Sequence, residues 1–307
     1  MNILRNILVA VDFSTASRAA LQQAARLALL SKAKLYVLHV VDAEAVETLA
    51  EMLGDGFEHQ AARSLESAAA VLPRWAERSE LPADYDSTVV AGDPLHEILD
   101  HVVSTHADLI VAGITGRHGA ARGTGAVSAK LARKSPVPIL LVRPDHAQPF
   151  RKITACVDFS SHSQEVIQQA FRIAAQDGAK LDFLHVWREP WVVMPEGDMF
   201  GEAEPPVILF TEKERLQYME NLRRRLHVLV AGGQRSLPHS EVLREAMSYG
   251  SGIQMHAQET GTELLVIGGG SRTALREMLL GSTAEQMLAQ TSCSLLLVKT
   301  ASSTQPF

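Results

Sequence analysis

The fold is decided by a segment that occurs twice in the chain. Residues 6–42 read NILVAVDFSTASRAALQQAARLALLSKAKLYVLHVVD, and residues 152–188 read KITACVDFSSHSQEVIQQAFRIAAQDGAKLDFLHVWR. The two segments align without a gap and are identical at 17 of 37 positions. Self-similarity of this kind indicates a duplicated structural unit. We call the units the first and the second repeat, and we predict two domains, residues 1–145 and 150–301, on either side of a proline-containing linker.

Each repeat alternates short β-rich runs with longer helical runs, a pattern typical of βαβ units around a parallel sheet. We therefore predict an α/β fold: two tandem open twisted parallel five-stranded sheets, each of strand order 3-2-1-4-5 with helices on both faces, Rossmann-like or flavodoxin-like. An insertion at 191–210 of the second repeat reads as a loop. The predicted strands are 6–11, 34–40, 86–90, 109–112 and 139–142, then 154–157, 180–185, 240–244, 264–267 and 294–298.

Composition excludes several classes of protein. The chain of 307 residues has a net charge of −6 and a pI near 6.1, which leaves no large basic field for binding DNA. No apolar run approaches the roughly 18 residues that a membrane-spanning helix needs. The two cysteines, Cys156 and Cys293, lie in apolar runs where a small buried thiol fits. These features predict a cytoplasmic protein that does not enter a membrane.

A glycine-rich loop follows the fourth strand of the second repeat. Residues 268–283 read GGGSRTALREMLLGST. Gly268 lets a ligand approach the backbone closely, and Gly281 precedes a helix start whose free N–H groups favour an anion. The hydroxyls of Ser282 and Thr283 and the charge of Arg272 suit phosphate oxygens. The alternative from these residues alone is a glycine-rich turn followed by an ordinary helix cap.

Several motifs together resemble the universal stress protein family. They are VDFS after the first strand, LHV near the end of the second, GDP before a helix, and the glycine loop with its short apolar final strand. The nucleotide-binding members of that family show Gly-x2-Gly-x9-Gly-Ser/Thr, which is matched here by Gly268, Ser271, Gly281 and Ser282 with one glycine replaced. The resemblance covers nearly the whole chain, twice. It implies binding of ATP, with or without Mg²⁺, in a stress response.

The resemblance also implies roles for individual residues. In the second repeat, Asp158 is expected beside the adenosine, and the backbone of Val186 is expected to face the adenine. The first repeat departs from the motif, because only eight residues separate its second and third glycines and Ala126 replaces the expected hydroxyl residue. We interpret it as a degenerate site. Its residues are Asp12, Val40, Gly113, Gly116, Gly125, Val127 and Ser128.

The last strand of each repeat, within 136–142 and 292–298, is short and apolar and falls at an edge of its predicted sheet. Exposed apolar edges favour pairing with another strand. The family resemblance implies that the two domains of one chain pair through these strands. A homodimer of two chains is a further expectation that the sequence leaves open.

Motifs for other chemistries fail on spacing. No Gly-x4-Gly-Lys-Ser/Thr loop is present. His96 and His101 are five residues apart, which places them on different sides of a helix and excludes a shared metal ion. Tyr249–Gly252 has glycines directly beside its serine and is not a nucleophile elbow. We predict no catalytic residues and no metal site, with at most slow ATP hydrolysis.

Three interpretations from different classes stay open. The chain is either a nucleotide-binding regulatory or protective factor, or an interaction module in which the aromatic and Met-rich insertion 191–210 covers the cleft or admits an apolar ligand. A true ATPase or phosphotransferase is the third. His39 and His185 occupy the same place in both repeats and are interpreted as structural. Cys156 is interpreted as a core residue beside the site.

Overall fold

A computed structural model describes residues 4–53, 60–77, 79, 81–82, 85–116, 123–160, 162–188, 192–193, 207–208, 211–233, 237–269 and 280–299. The first repeat forms β1 (Asn6–Val11), α1 (Thr15–Ser31), β2 (Lys34–Asp42), α2 (Ala43–Leu53), α3 (Gln60–Ala76), β3 (Tyr85–Gly92), α4 (Pro94–Thr105), β4 (Leu109–Gly113), α5 (Ala126–Lys134) and β5 (Ile139–Val142).

The second repeat has the same order of strands in its main sheet, but a short hairpin and one helix stand where the first repeat has α2 and α3. It forms β6 (Lys152–Cys156), α6 (Ser163–Asp177), β7 (Lys180–Trp187), β8 (Val192–Val193), β9 (Val207–Ile208), α7 (Glu212–Ala231), β10 (His239–Glu245), α8 (Tyr249–Thr260), β11 (Leu264–Gly268), α9 (Ser282–Gln290) and β12 (Ser294–Val298).

The predicted strand order is confirmed in both repeats. Parallel pairing gives β3-β2-β1-β4-β5 in the first repeat and β10-β7-β6-β11-β12 in the second. The two sheets are not separate, because β5 and β12 pair antiparallel through Ile139–Leu141 and Leu295–Leu297 and make one ten-stranded sheet. Each apolar edge strand thereby covers the other.

Two details of the predicted elements are wrong. The first strand of the second repeat spans Lys152–Cys156 instead of 154–157. Val157 still donates its N–H to Leu184 O at 2.9 Å, so the chain stays beside β7 for one residue beyond the strand. The insertion is not only loop, since Val192 and Val193 pair antiparallel with Ile208 and Val207.

The core lies on both faces of the continuous sheet. One cluster packs α1 and α6 against alternate strand residues, and the other packs α4, α5, α8 and α9 against the opposite side chains of the same strands. Side chains cap two of the helices, since Ser14 Oγ accepts from Ser17 N and Asp93 Oδ1 accepts from His96 N. None of the helices in the described part of the chain is long and apolar enough to cross a membrane.

The linker between the repeats is held against both of them. Buried Gln23 of α1 donates through Nε2 to the carbonyls of His146 and Gln148, at 2.8 and 2.6 Å. Arg26 pairs with the buried carboxylate of Asp177 on α6, which also accepts from Phe150 N at 2.8 Å. The repeats are therefore packed together by buried polar contacts as well as by strand pairing.

Candidate functional site

A cavity of about 420 Å³ opens at the carboxyl ends of β6, β7 and β11 in the second repeat. This edge of an open parallel sheet is where ligands of α/β proteins bind. The cavity brings together predicted residues that are up to 125 positions apart in sequence. Its lining is Cys156, Val157, Asp158, Ser160, His162, Ser163, Val166, Leu184, His185, Val186, Tyr249, Ile253, Ile267, Gly268, Gly281, Ser282, Thr283 and Ala284.

Asp158 is held at the rim of the cavity by a tight turn. Its Oδ1 accepts from Ser160 N at 3.0 Å and from Ser163 Oγ at 3.1 Å. These contacts accompany the positive φ of Phe159, a conformation that a large side chain rarely adopts. The carboxylate is therefore exposed but fixed in direction, as an acceptor for ligand hydroxyls must be.

Val186 presents backbone groups to the cavity because β6 is shorter than β7. The last β6–β7 contacts are the register pair Cys156–Leu184 and the bond from Val157 N to Leu184 O, at 2.9 Å. Trp187 O instead accepts from Ala246 N on the β10 side. Since alternate residues of a strand direct their N–H and C=O to the same side, those of Val186 point past the end of β6 into the cavity.

Helix α9 bounds the opposite end of the cavity with its amino terminus. Its N-cap is Gly281, with φ −63° and ψ 151°, so no side chain caps the helix. The first-turn N–H groups of an uncapped helix carry partial positive charge and favour an anion. Ser282 and Thr283 add hydroxyls at the same place. The buried Leu280 anchors the chain just before this turn.

Gly268 and its counterpart Gly113 are glycines for different reasons. A Cβ added at Gly268 would lie 3.5 Å from His162 Cβ and 3.8 Å from Val166 Cγ2, which are ordinary contacts. A Cβ at Gly113 would lie 2.8 Å from Ser17 N and 2.9 Å from Ala16 Cβ, which is a collision. The protein's own packing thus requires a glycine at 113 but leaves the surface at 268 open.

The predicted residues of the first repeat also come together, but they bond to one another. Gly125 N donates to Ile114 O, and Ser128 Oγ donates to Gly113 O, both at 2.7 Å. A Cβ at Gly116 would already lie 3.1 Å from Asp12 Oδ2. Of the remaining predicted residues, Val40 is half-buried at the end of β2 and Val127 is exposed on the first turn of α5.

The paired histidines act as structural residues, as predicted. His39 Nδ1 lies 2.7 Å from Val11 O, and His185 Nδ1 lies 2.8 Å from Val157 O, so each ties the second strand to the end of the first. Each imidazole also contacts the phenylalanine at positive φ, with ring centroids 4.4 and 4.3 Å apart. These contacts fix the turn that carries the aspartate in each repeat.

The thiol of Cys156 lines the cavity but is not activated. Burial raises its pKa well above the ordinary value for cysteine, and Cys293 adds to the effect. A raised pKa removes the thiolate that reactive cysteines need. His96 and His101 make local contacts with Asp93 Oδ1 and Glu97 O, and in the described ranges no three His, Cys, Asp or Glu side chains group as metal ligands.

Ser271 and Arg272 lie outside the described residues, as do most of 191–210. Conversely, the structure adds residues that sequence reasoning did not assign to the site: Ser160, His162 and Val166 near the start of α6, and Tyr249 and Ile253 on α8. The segment Tyr249–Gly252 carries a visible signal, since it places two glycines in the first turn of a helix.

Comparison with known proteins agrees with the fold of both repeats. The profile of the universal stress protein family matches residues 4–143 and again residues 149–299. A universal stress protein of Mycobacterium tuberculosis is 26% identical over 291 residues, covering 92% of each chain. The solved structure of one from Archaeoglobus fulgidus has a TM-score of 0.66 at 17% identity and covers 96% of this chain and 98% of its own.

A putative universal stress protein of Pseudomonas aeruginosa gives a similar structural match. Its TM-score is 0.64 at 20% identity, and the match covers 97% of this chain and 94% of that one. At these identities the solved structures establish the fold, and the twofold profile match establishes the family. The chain belongs to the universal stress protein family and carries two copies of its domain.

Proposed function

We propose that the second repeat binds one adenine nucleotide, ATP, in the cavity at the ends of β6, β7 and β11. The observation that carries the proposal is that the two ends of the cavity differ in chemistry. One end has the backbone groups of Val186 beside the apolar Ile253, and the other has the uncapped start of α9 at Gly281. A base with a hydrogen-bonding edge fits the first end, and phosphates fit the second.

The remaining parts of the nucleotide follow from this orientation. The carboxylate of Asp158 lies at the rim between the two ends and is suited to accept from ribose hydroxyls. Ser282 and Thr283 donate to phosphate oxygens, and Gly268 leaves room for the phosphates. Ser271 and Arg272 are proposed to bind the phosphates as well. Mg²⁺, when present, is carried by the phosphates themselves, as the described residues hold no carboxylate cluster for it.

The first repeat is proposed to bind no nucleotide. The degenerate motif serves packing instead, because its residues contact one another and α1: Gly113, Gly116, Gly125 and Ser128.

We further propose that the domains span 1–145 and 150–301 and that the β5–β12 pairing holds them together in solution. The protein is then a cytoplasmic regulatory or protective factor in a stress response, with hydrolysis slow at most.

The decisive test uses Gly281→Val, with Gly125→Val as its matched control. Both glycines are N-caps with nearly the same backbone, φ −63° and −64°, that L-residues accept. Mass spectrometry of the co-purified ligand and calorimetric titration with ATP and Mg²⁺ should show one site per chain at micromolar affinity, about −8 kcal/mol. Gly281→Val should abolish binding because its side chain occupies the phosphate end, while Gly125→Val should retain it.

Other stoichiometries separate the alternatives. Two sites per chain, or loss of binding in Gly125→Val, would show that the first repeat is a working site. Absence of nucleotide and of binding heat would favour the interaction module with an apolar ligand under 191–210. In that case the Trp187 ring, which is buried against Leu222 and 6.1 Å from Tyr218, marks where the insertion leaves the sheet.

A further inference from the structure

The start of α8 differs from the start of its counterpart α4 in every residue. The second repeat has Tyr249–Gly252 where the first repeat has Pro94–Glu97, and both follow an N-cap, Ser248 or Asp93. In α4 these positions carry a buried Leu95 and the side chain of Glu97. The proposed function uses neither segment, yet Tyr249 of α8 lines the cavity.

Gly252 allows α8 to approach the site closely. A Cβ at Gly252 would lie 2.6 Å from Val186 Cγ1 and 2.9 Å from Ala246 Cβ. Since real Cβ atoms do not come this near, a larger residue at 252 would push α8 away from Val186. A Cβ at Gly250 would meet only the flexible end of the Gln286 side chain on α9, which is free to shift, so Gly252 alone sets the approach.

Tyr249 is thereby placed beside the proposed base end. It precedes Gly252 by three residues and Ile253 by four, so the three lie on one face of the helix. Gly252 touches Val186, and Tyr249, Ile253 and Val186 all line the cavity. The tyrosine is 44% exposed, and the guanidinium of Arg188 lies 5.3 Å from its ring centroid, within cation–π range.

We propose that Tyr249 is a specificity-determining residue whose ring packs on the face of the nucleobase that Val186 contacts by its edge. This inference rests on the proposed function. A base held only by backbone groups at its edge leaves a flat apolar face in water, and an aromatic ring is the side chain that covers it best. The first repeat has Pro94 here and lacks such a ring.

The test compares Tyr249→Ala with Tyr249→Phe in the full-length protein. Met247→Ala is the matched control, because Met247 is 85% exposed two residues away and does not line the cavity. Calorimetry measures ATP binding, and displacement of a fluorescent ATP analogue measures binding of inorganic tripolyphosphate. Tyr249→Ala should weaken ATP binding about tenfold, the usual size of an aromatic stack, and should leave tripolyphosphate unchanged. Tyr249→Phe and Met247→Ala should bind ATP like the wild type.

The outcomes distinguish this inference from the proposed function. Wild-type protein that binds no ATP overturns both. If Tyr249→Ala binds ATP with the affinity of the wild type, the inference alone is overturned. An equal loss of ATP and tripolyphosphate in Tyr249→Ala also overturns it, because the residue then supports the helix start instead of the base. Thermal unfolding of each variant confirms that the fold is retained.

Discussion

The two repeats share a strand order and motif glycines, yet they use corresponding positions in opposite ways. Gly269 N and Ile114 N make the same bond, to Val298 O and Val142 O, at 2.9 Å in both repeats. Ile114 is fully buried in the core, whereas its counterpart is a glycine at which a Cβ would lie 3.2 Å from the Lys299 side chain. The comparison teaches that the same backbone bond can precede a buried core side chain in one repeat and a glycine in the other.

The two repeats also differ in the residues near the amino-terminal ends of their first two strands. The second repeat buries Asp182, whose Oδ2 lies 2.6 Å from Lys152 Nζ and 3.1 Å from His256 Nε2. The residues that align with Lys152 and Asp182 in the first repeat are Asn6 and Tyr36, so this charged network has no equivalent there. The second repeat therefore contains a buried charged network that the aligned positions of the first repeat do not provide.

The largest effect that we expect is from Asp182→Ala. Removing one partner of a buried ion pair leaves the others uncompensated, which costs about 3–5 kcal/mol of the free energy of unfolding. Asp86→Ala is the matched control, because Asp86 pairs with Lys34 on the surface of the first repeat at 2.9 Å and should cost below about 1 kcal/mol. Urea denaturation of both variants measures the difference. Equal losses would contradict the comparison.

The same network predicts a pH dependence. Burial acts to raise the pKa of Asp182, but hydrogen bonds from His256 and Lys152 outweigh burial and lower it. A carboxyl whose folded pKa is lowered stabilises the fold above its unfolded pKa of about 4 and loses that contribution as the pH falls through the folded value. The stability gap between wild type and Asp182→Ala should therefore narrow in urea titrations at pH 3 relative to pH 7.

A smaller effect should separate the two motif glycines. Gly113→Ala should destabilise the protein by about 1–3 kcal/mol, because its Cβ would collide with Ser17 N and Ala16. It should leave ATP binding unchanged. Gly268→Ala should change stability by less than about 0.5 kcal/mol, since its contacts are ordinary, but should weaken ATP binding. Chemical denaturation and calorimetry on both variants test this, and a reversed pattern would refute the assignment of roles.

The smallest effect concerns the interface between the repeats. Arg133 Nη2 lies 2.7 Å from Glu285 Oε2, but both side chains are partly exposed. The pKa of Glu285 is lowered by its hydrogen bond from Arg133, and solvent screens much of the corresponding energy. Arg133→Ala should therefore cost below about 1 kcal/mol in thermal unfolding. A larger loss would show that α5 and α9 hold the repeats together more than strands β5 and β12 do.

Much of the fold followed from local patterns. Alternation of β-rich and helical runs predicted the parallel strands and their order, and Ser14 and Asp93 were recognisable as caps because capping depends only on neighbouring residues. The bounds of β6 did not follow, since its pairing with β11 joins residues that are far apart in the sequence. The short strands β8 and β9 were missed because two-residue strands have no detectable period.

The sequence by itself determined the duplication, the family resemblance, the order of the strands and the placement of Gly281 at a helix start, because these depend on spacing along the chain. Only the tertiary structure decided that Val186 directs its backbone past the end of β6, that Gly113 is a packing glycine and Gly268 is not, and that Tyr249 borders the cavity. These properties depend on which atoms meet across segments up to a hundred residues apart, and such contacts leave no periodic signal in the sequence.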